Sequence, residues 1–250
     1  MAPSSNPVAL ITGASSGIGL STSRLLAQQG IDVVMVARNE ERLRKAAGGI
    51  DSAERVRVET IAADMGNPAR AEATVRGVIE RMGRLDVLIN NAGMGEVRAI
   101  AESDDEFIKS TFAVNVLGPM AAVRGAWKHW LERGGGCVVN ISSWAARDPF
   151  PGFFAYGASK SAMNGVTRSC HNDGHEAGVR AFSVCPGAVE TPMLRASFDE
   201  KTVGKELCLS PEDVAKVVLA CVRGERDSEV GRAIYVRRGE DAGVEITIGD

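Results

Sequence analysis

The sequence predicts an α/β fold: a doubly wound, seven-stranded parallel sheet with helices on both faces. Three observations predict it. Short apolar runs alternate with helical patterns along the chain. The first apolar run opens into a glycine-rich turn and then a helix. Residues able to do chemistry recur just after the apolar runs, where parallel sheets bind ligands.

The elements follow in order. Val8–Ile11 is a short apolar run with the character of a buried strand, and Leu20–Gln29 is the helix after the glycine turn. Further strands are expected at Asp32–Ala37, Val56–Ala62, Val87–Asn90, Gly136–Ser142, Arg180–Cys185 and Ala233–Val236. Helices fill the intervals, including Asn67–Arg81, Asp104–Leu131, Phe154–Ala177 and Pro211–Val222. There is no internal repeat, linker or low-complexity tract, so residues 1–250 are expected to form a single dinucleotide-binding domain.

Composition narrows the function classes. A 44% apolar fraction suits a globular protein, and a net charge of -3 argues against a general nucleic-acid surface. The apolar runs are far too short to span a membrane, so no membrane partner is expected. Met1–Pro7 has neither a charged start nor an apolar signal segment, so no export is indicated. Cys137, Cys170, Cys185, Cys208 and Cys221 are scattered, odd in number and without Cys-x-x-Cys, as expected of reduced cysteines in a cytoplasmic protein. Cys137 and Cys185 sit in strand-like runs and read as core.

Tyr156 and Lys160 are four residues apart, which puts both on one helix face. A phenol with a free pKa near ~10 exchanges protons poorly at neutral pH. A neighbouring ammonium stabilises the phenolate and lowers that pKa. Ser143, thirteen residues before the tyrosine, follows a strand run and is placed to hold a substrate oxygen beside the phenol. Together they make a proton-transfer device for a carbonyl/alcohol pair. Alone, Tyr-x-x-x-Lys describes an ordinary surface helix equally well. The N-terminal segment Thr12-Gly13-Ala14-Ser15-Ser16-Gly17-Ile18-Gly19 adds the context. Gly13 permits a tight turn, Gly17 lets backbone approach a pyrophosphate, and Gly19 lets the helix pack closely on the strand. The helix N-terminus then offers free N–H groups to phosphate.

At this point the chain resembles the short-chain dehydrogenase/reductase family, of Rossmann type, over roughly residues 7 to 193. The glycine spacing is that family's Thr-Gly-x-x-x-Gly-x-Gly. Asn90-Asn91-Ala92-Gly93, Asn115, Ser142-Ser143, Tyr156, Lys160, Pro186-Gly187 and Thr191 follow in the family's order. Many relatives end in a strand followed by Asp-Gly-Gly, whereas this chain has Ile234-Tyr235-Val236-Arg237-Arg238-Gly239.

The resemblance implies a nicotinamide dinucleotide held by Gly13, Ser15, Ser16, Gly17, Ile18 and Gly19 in the loop. Asp64 and Met65 resemble the adenine-contacting pair, and Asn91, Ala92 and Gly93 would lie along the adenosine ribose. Tyr156, Lys160, Pro186, Gly187, Val189 and Thr191 would hold the nicotinamide end. Ala37 stands where NAD-preferring members place an acid, and Arg38 where NADP-preferring members often place a base. A guanidinium can bond a 2′-phosphate in a fork, so NADP(H) is expected to be preferred, with NAD(H) still possible.

The implied mechanism is hydride transfer between the nicotinamide and a carbonyl or secondary alcohol. Tyr156 is the general acid/base, Lys160 lowers its pKa and bonds the nicotinamide ribose, and Ser143 donates to the substrate oxygen. Ser143 is preferred over Ser142 because the family's serine is the second of the pair. Asn115 would hold a water that links Lys160 to solvent, or would simply bond backbone. The alternative is a catalytically silent NADP(H)-binding regulator or scaffold. The substrate loop is expected near residues 192–209. Met94, Trp144, Phe150, Phe153, Phe154, Met193, Leu194 and Phe198 either line an apolar or aromatic pocket or belong to core and interface. Arg147, Asp148 and Arg195 would recognise a charged group or be solvated.

His171 and His175 have a metal-binding spacing but no third ligand, so no metal is expected. The mixed charges of residues 226–229 and 237–241 read as surface loops. Family members often form tetramers or dimers through two long helices, and Ser161, Ala162 and Gly165 are small enough for close packing there.

Overall fold

The computed structural model describes residues 5–53, 56–239 and 241–249. Residues 1–4 of the expected uncharged opening, and residue 240 of the mixed-charge run 237–241, lie outside the described residues. Along the chain run β1 (Val8–Thr12), α1 (Gly17–Gln28), β2 (Asp32–Ala37), α2 (Glu40–Gly48), β3 (Val58–Ala62), α3 (Pro68–Met82) and β4 (Val87–Asn90). They are followed by α4 (Asp105–Phe112), α5 (Gly118–Arg133), β5 (Gly136–Ile141), α6 (Phe154–Gly174) and β6 (Val179–Pro186). Last come α7 (Pro192–Ser197), α8 (Pro211–Val222), β7 (Ala233–Arg238) and β8 (Val244–Gly249).

The strands form one sheet in the order β3-β2-β1-β4-β5-β6-β7-β8. All neighbours are parallel except β7 and β8. Every residue of β1 and β2 is buried, which is why these strands read as continuous apolar runs. Alternate side chains feed two cores. Ala9 and Ile11 face a layer with Leu26 of α1, Leu43 of α2 and Val214 of α8. Val8 and Leu10 face Val75 of α3, Trp130 of α5 and Cys170 of α6. The chain order reverses between β1 and β4, which opens a crevice at their C-terminal ends.

Helix starts carry local signals. Asn39, Asn67, Asp104 and Thr191 each cap the helix that follows with a side-chain oxygen. Ser210 and Asp213 form a reciprocal capping box at α8. A buried polar ladder crosses the centre of the sheet. Asn90 Nδ2 donates to Asn140 Oδ1 at 2.9 Å, and Asn140 Nδ2 donates to Thr167 Oγ1 at 2.9 Å. These bonds tie β4, β5 and α6 together in a fixed rotation, because a buried unpaired amide would be costly.

Four expectations need correction. The sheet has eight strands, because Val244–Gly249 folds back antiparallel on β7. Its alternation of Ile246 and Ile248, packed toward the core, with Glu245 and Thr247 is the period-2 signal that the reading from sequence missed. Pairing with β8 also carries β7 to Arg238, two residues past the expected end. The single helix expected over Asp104–Leu131 is interrupted by a π-helical turn at Ala113–Leu117. That turn contains the buried Asn115, whose amide bonds loop backbone. The expected strand Val56–Ala62 begins at Val58.

Candidate active site

The glycine segment joins β1 to α1 at the crevice. Gly13 and Gly17 have φ of +65° and +55°, in the left-handed region that favours glycine. A Cβ on Gly19 would lie 2.5 Å from Asn91 Nδ2 and 2.6 Å from the Gly13 carbonyl oxygen. Asn91 fastens this loop. Its Nδ2 donates to the carbonyls of Thr12 at 2.9 Å and Gly13 at 3.2 Å. Thr12 Oγ1 in turn accepts the N–H groups of Asn91 and Ala92, each at 2.9 Å. The side chain of Asn91 is thus occupied in bracing the β1 and β4 ends. Ser16, at the N-cap of α1, makes no side-chain cap, and the first turn holds no acidic residue. Helix N–H groups beside Ser15, Ser16 and Ile18 are therefore free of side-chain competition, a donor set that fits the pyrophosphate of a dinucleotide.

Tyr156 and Lys160 lie on α6, and Ser143 just past β5. The Ser143 side chain stands beside the Tyr156 hydroxyl and favours its phenolate form. Ser142 turns inward instead, donating to the Lys160 carbonyl at 2.9 Å. Lys160 is buried, with Nζ donating to the Ile141 carbonyl at 2.8 Å and sitting 5.6 Å from the Tyr156 ring centroid. Burial holds the Tyr156 phenol above its ordinary pKa, and Ser143 opposes this. Lys160 does not offset that burial, so the expected lowering of the phenol pKa is absent from this arrangement. Burial also pushes the Lys160 ammonium down to about 8, partly opposed by Cys185.

Asn115 sits behind this pair. Its Oδ1 accepts the Met94 N–H at 2.7 Å, and its Nδ2 donates to the Met94 carbonyl at 2.8 Å and Ser159 Oγ at 2.9 Å. Gly93 comes close: a Cβ there would lie 3.3 Å from Asn115 Oδ1 and 3.6 Å from Lys160 Nζ.

At the far end of the crevice, Arg38 follows β2 and is exposed. With Ala62, Ala63, Asp64, Asn67 and Arg70 it lines a cavity of about 420 Å³. Met65 is buried, and its carbonyl presses on the start of α5 at Gly118. Near Tyr156 the wall is aromatic. Phe153 lies 4.9 Å from Tyr156, 6.1 Å from Phe150 and 6.1 Å from Phe198, centroid to centroid. A Cβ on Gly95 would touch both Met193 Sδ at 3.2 Å and Tyr156 Cε2 at 3.4 Å. Residues 192–209 contain α7 and a short 3-10 turn, Lys205–Leu207. Thr191 caps α7, and its methyl would meet a Cβ on Gly17 at 3.1 Å. Gly187 N donates to the Val236 carbonyl at 2.8 Å, anchoring the Pro186-Gly187 turn, and Val189 pairs with Leu209.

Other candidates belong elsewhere. Trp144 packs edge-on to Tyr235 at 5.5 Å and, with Arg147, Asp148, Arg237, Glu245 and Thr247, lines a separate cavity of about 480 Å³ against β8. Arg195 is committed within its own loop, donating to Glu190 Oε1 at 2.8 Å and the Val203 carbonyl at 2.8 Å. Phe154 is exposed and makes none of the ring contacts of the Tyr156 wall. The rings of His171 and His175 meet at a tilt with centroids 5.1 Å apart, and His175 Nδ1 pairs with the His171 carbonyl. Among the described residues no group of three or more metal-ligating side chains converges. The reading from sequence missed Thr12, Ser159 and Arg70 around the site. Thr12 and Ser159 stand within quoted motifs, but their bonds cross elements far apart in sequence.

A doubly wound sheet with a braced glycine turn and a Ser-Tyr-Lys cluster at its switch point defines a dinucleotide-binding oxidoreductase. The family model described as short chain dehydrogenase matches residues 7–202. The chain belongs to the short-chain dehydrogenase/reductase family. The short-chain reductase protein NovJ of Streptomyces niveus is 31% identical over 96% of this chain and 95% of that protein. A 3-ketoacyl-(acyl-carrier-protein) reductase from Brucella melitensis, solved with NADH, superposes with a TM-score of 0.85 at 29% identity, covering 93% of this chain and 97% of that one. A variant actinorhodin polyketide ketoreductase, solved with NADPH, gives a TM-score of 0.85 at 31% identity, covering 94% and 97%. Similar proteins thus hold either nucleotide. Among the described residues no helix is long and apolar enough to cross a membrane.

Proposed function

We propose that this oxidoreductase uses NADP(H) to interconvert a carbonyl compound and a secondary alcohol, with Tyr156 as general acid/base. The carrying observation is the convergence of Ser143, Tyr156, Lys160 and Asn115 at the C-terminal end of the sheet. A bound nicotinamide dinucleotide supplies the hydride to the carbonyl carbon, or takes it back in oxidation. Ser143 holds the substrate oxygen by a hydrogen bond. Tyr156 gives its proton to that oxygen as negative charge develops on it. Burial favours the protonated phenol before the step, so Tyr156 stands ready as a donor. Lys160, whose ammonium lies 5.6 Å from the Tyr156 ring centroid, would bond the nicotinamide ribose and favour the phenolate left by the step. Asn115 and Ser159 keep the backbone around Met94 and the Lys160 turn in place.

Gly13, Ser15, Ser16, Gly17, Ile18 and Gly19 would hold the pyrophosphate, and Arg38 the adenosine 2′-phosphate. Asp64 and Met65 would meet the adenine, Asn91, Ala92 and Gly93 the adenosine ribose, and Tyr156, Lys160, Pro186, Gly187, Val189 and Thr191 the nicotinamide half. The aromatic wall of Phe150, Phe153 and Phe198 supports a substrate with an apolar or aromatic body. Single-domain organisation, a cytoplasmic location and a dimer or tetramer built through α5 and α6 belong to the same proposal.

NADPH oxidation, followed by absorbance against a panel of aromatic and acyl ketones, tests the reading. Tyr156→Phe is expected to lower kcat by at least ~100-fold while leaving NADPH binding intact. Equal turnover by the variant refutes the role given to Tyr156.

A further inference from the structure

We infer that Arg70 is a second specificity-determining residue, which with Arg38 clamps the 2′-phosphate of NADP(H). The inference rests on the NADP(H) reading and extends it to a residue that no sequence motif marks. Strand register brings the two arginines together. Ala37 pairs with Ala62, and the Ala63 N–H donates to the Ala37 carbonyl at 3.1 Å, so Arg38 emerges beside the ledge of residues 62–64. The chain then turns at once into a helix. Asp64 Oδ1 accepts the Gly66 N–H at 3.0 Å, and Asn67 Oδ1 caps the Arg70 N–H at 3.1 Å. Arg70 is thereby fixed in the first turn of α3, on the wall of the same cavity of about 420 Å³ as Arg38.

The electrostatics of that cavity lack a counter-charge. Neither guanidinium has an ion pair, hydrogen bond or ring contact among the described residues. Arg44, by contrast, pairs with Glu40, and Arg76 with Glu72. Asp64 is the single carboxylate among the lining residues, and it is turned onto the Gly66 N–H. The first turn of α3 holds no acidic residue, so the positive end of its dipole is also uncompensated. Two arginines and a helix start on one small cavity suit a group with two negative charges and several acceptor oxygens. A phosphate monoester has both near neutral pH, and each guanidinium can bond it through a fork. A neutral ribose hydroxyl would leave both cations unmatched.

The rival is that Arg70 lies flat on the adenine ring, a contact common to both nucleotides. Calorimetric or fluorescence titration of the whole chain separates the two. The probes are NADPH, NADH, adenosine 2′,5′-bisphosphate and 5′-AMP, against wild type, Arg70→Ala, Arg70→Lys and Arg38→Ala. The clamp predicts that Arg70→Ala loses roughly tenfold affinity for NADPH and the bisphosphate, while NADH and 5′-AMP are unchanged. Arg70→Lys is expected to recover part of the loss, because it restores the charge without the fork. Equal loss on all four probes overturns the clamp in favour of an adenine contact. No loss on any probe overturns it outright, and if Arg38→Ala alone abolishes the preference, the NADP(H) reading still stands. Wild type that binds the bisphosphate no better than 5′-AMP overturns the NADP(H) reading itself, and the clamp with it. Arg70 is exposed, so the variants are expected to melt like wild type.

Discussion

Lys160 is expected to make the protein less stable near neutral pH, and Lys160→Met exposes that cost. Burial takes its pKa from 10.5 to about 8. A displacement of that size corresponds to about 3 kcal/mol of destabilisation wherever both folded and unfolded states carry the proton, that is, below about pH 8. Between about 8 and 10.5 the unfolded chain keeps the proton and the folded protein has shed it, so wild-type stability rises with pH through this window. Methionine fills similar volume without charge. The variant forfeits the 2.8 Å bond to the Ile141 carbonyl, a loss of roughly 2 kcal/mol. At pH 7 the variant should therefore be about 1 kcal/mol more stable than wild type, despite losing turnover. At pH 10 the wild-type penalty falls to about 1 kcal/mol, and the order reverses. Urea unfolding of both proteins, followed by circular dichroism at pH 7 and pH 10, measures the difference. Titrating groups remote from Lys160 are common to both proteins and cancel. A stability difference that stays constant across this range would refute the reasoning.

Two further outcomes follow from the packing. A Cβ at Gly118 would fall 1.8 Å from the Met65 carbonyl oxygen, so Gly118→Ala must displace the turn after β3 and should cost about 3 kcal/mol or more. Thermal melts check this, and a variant that melts like wild type contradicts the close approach. Among the described residues Arg195 bonds only within residues 190–208, joining Glu190, Phe198, Val203 and Cys208. Arg195→Ala should loosen the loop carrying Met193 beside Tyr156 and raise KM by roughly tenfold, with the melting temperature nearly unchanged. Steady-state kinetics test it, and an unchanged KM removes the role of this brace.

Much of the fold was legible because parallel strands buried on both faces are near-continuous apolar runs, as Val8–Ile11 of β1 and Val33–Ala37 of β2 are. β8 was missed because its half-exposed residues alternate weakly and follow no glycine fingerprint. The break at Ala113–Leu117 was invisible because no Gly or Pro marks it within the helical pattern. The interruption accompanies bonds from Asn115 to Met94, twenty-one residues away. At the site, spacing located Tyr156, Lys160 and Ser143. It did not show how completely Tyr156 would be buried, and burial holds the phenol above its ordinary pKa, opposite to the direction expected from a neighbouring ammonium.

The sequence by itself determined the class of sheet, the glycine turn, and the order and helix face of the chemical residues. Those properties are local, set by backbone period, a steric allowance at glycine, and a four-residue helical repeat. Only the tertiary structure decided which charges are buried, which arginines are spent on carboxylates and which two face an open cavity. Charge balance and desolvation are summed over neighbours brought together from distant segments, and no window of sequence contains that sum.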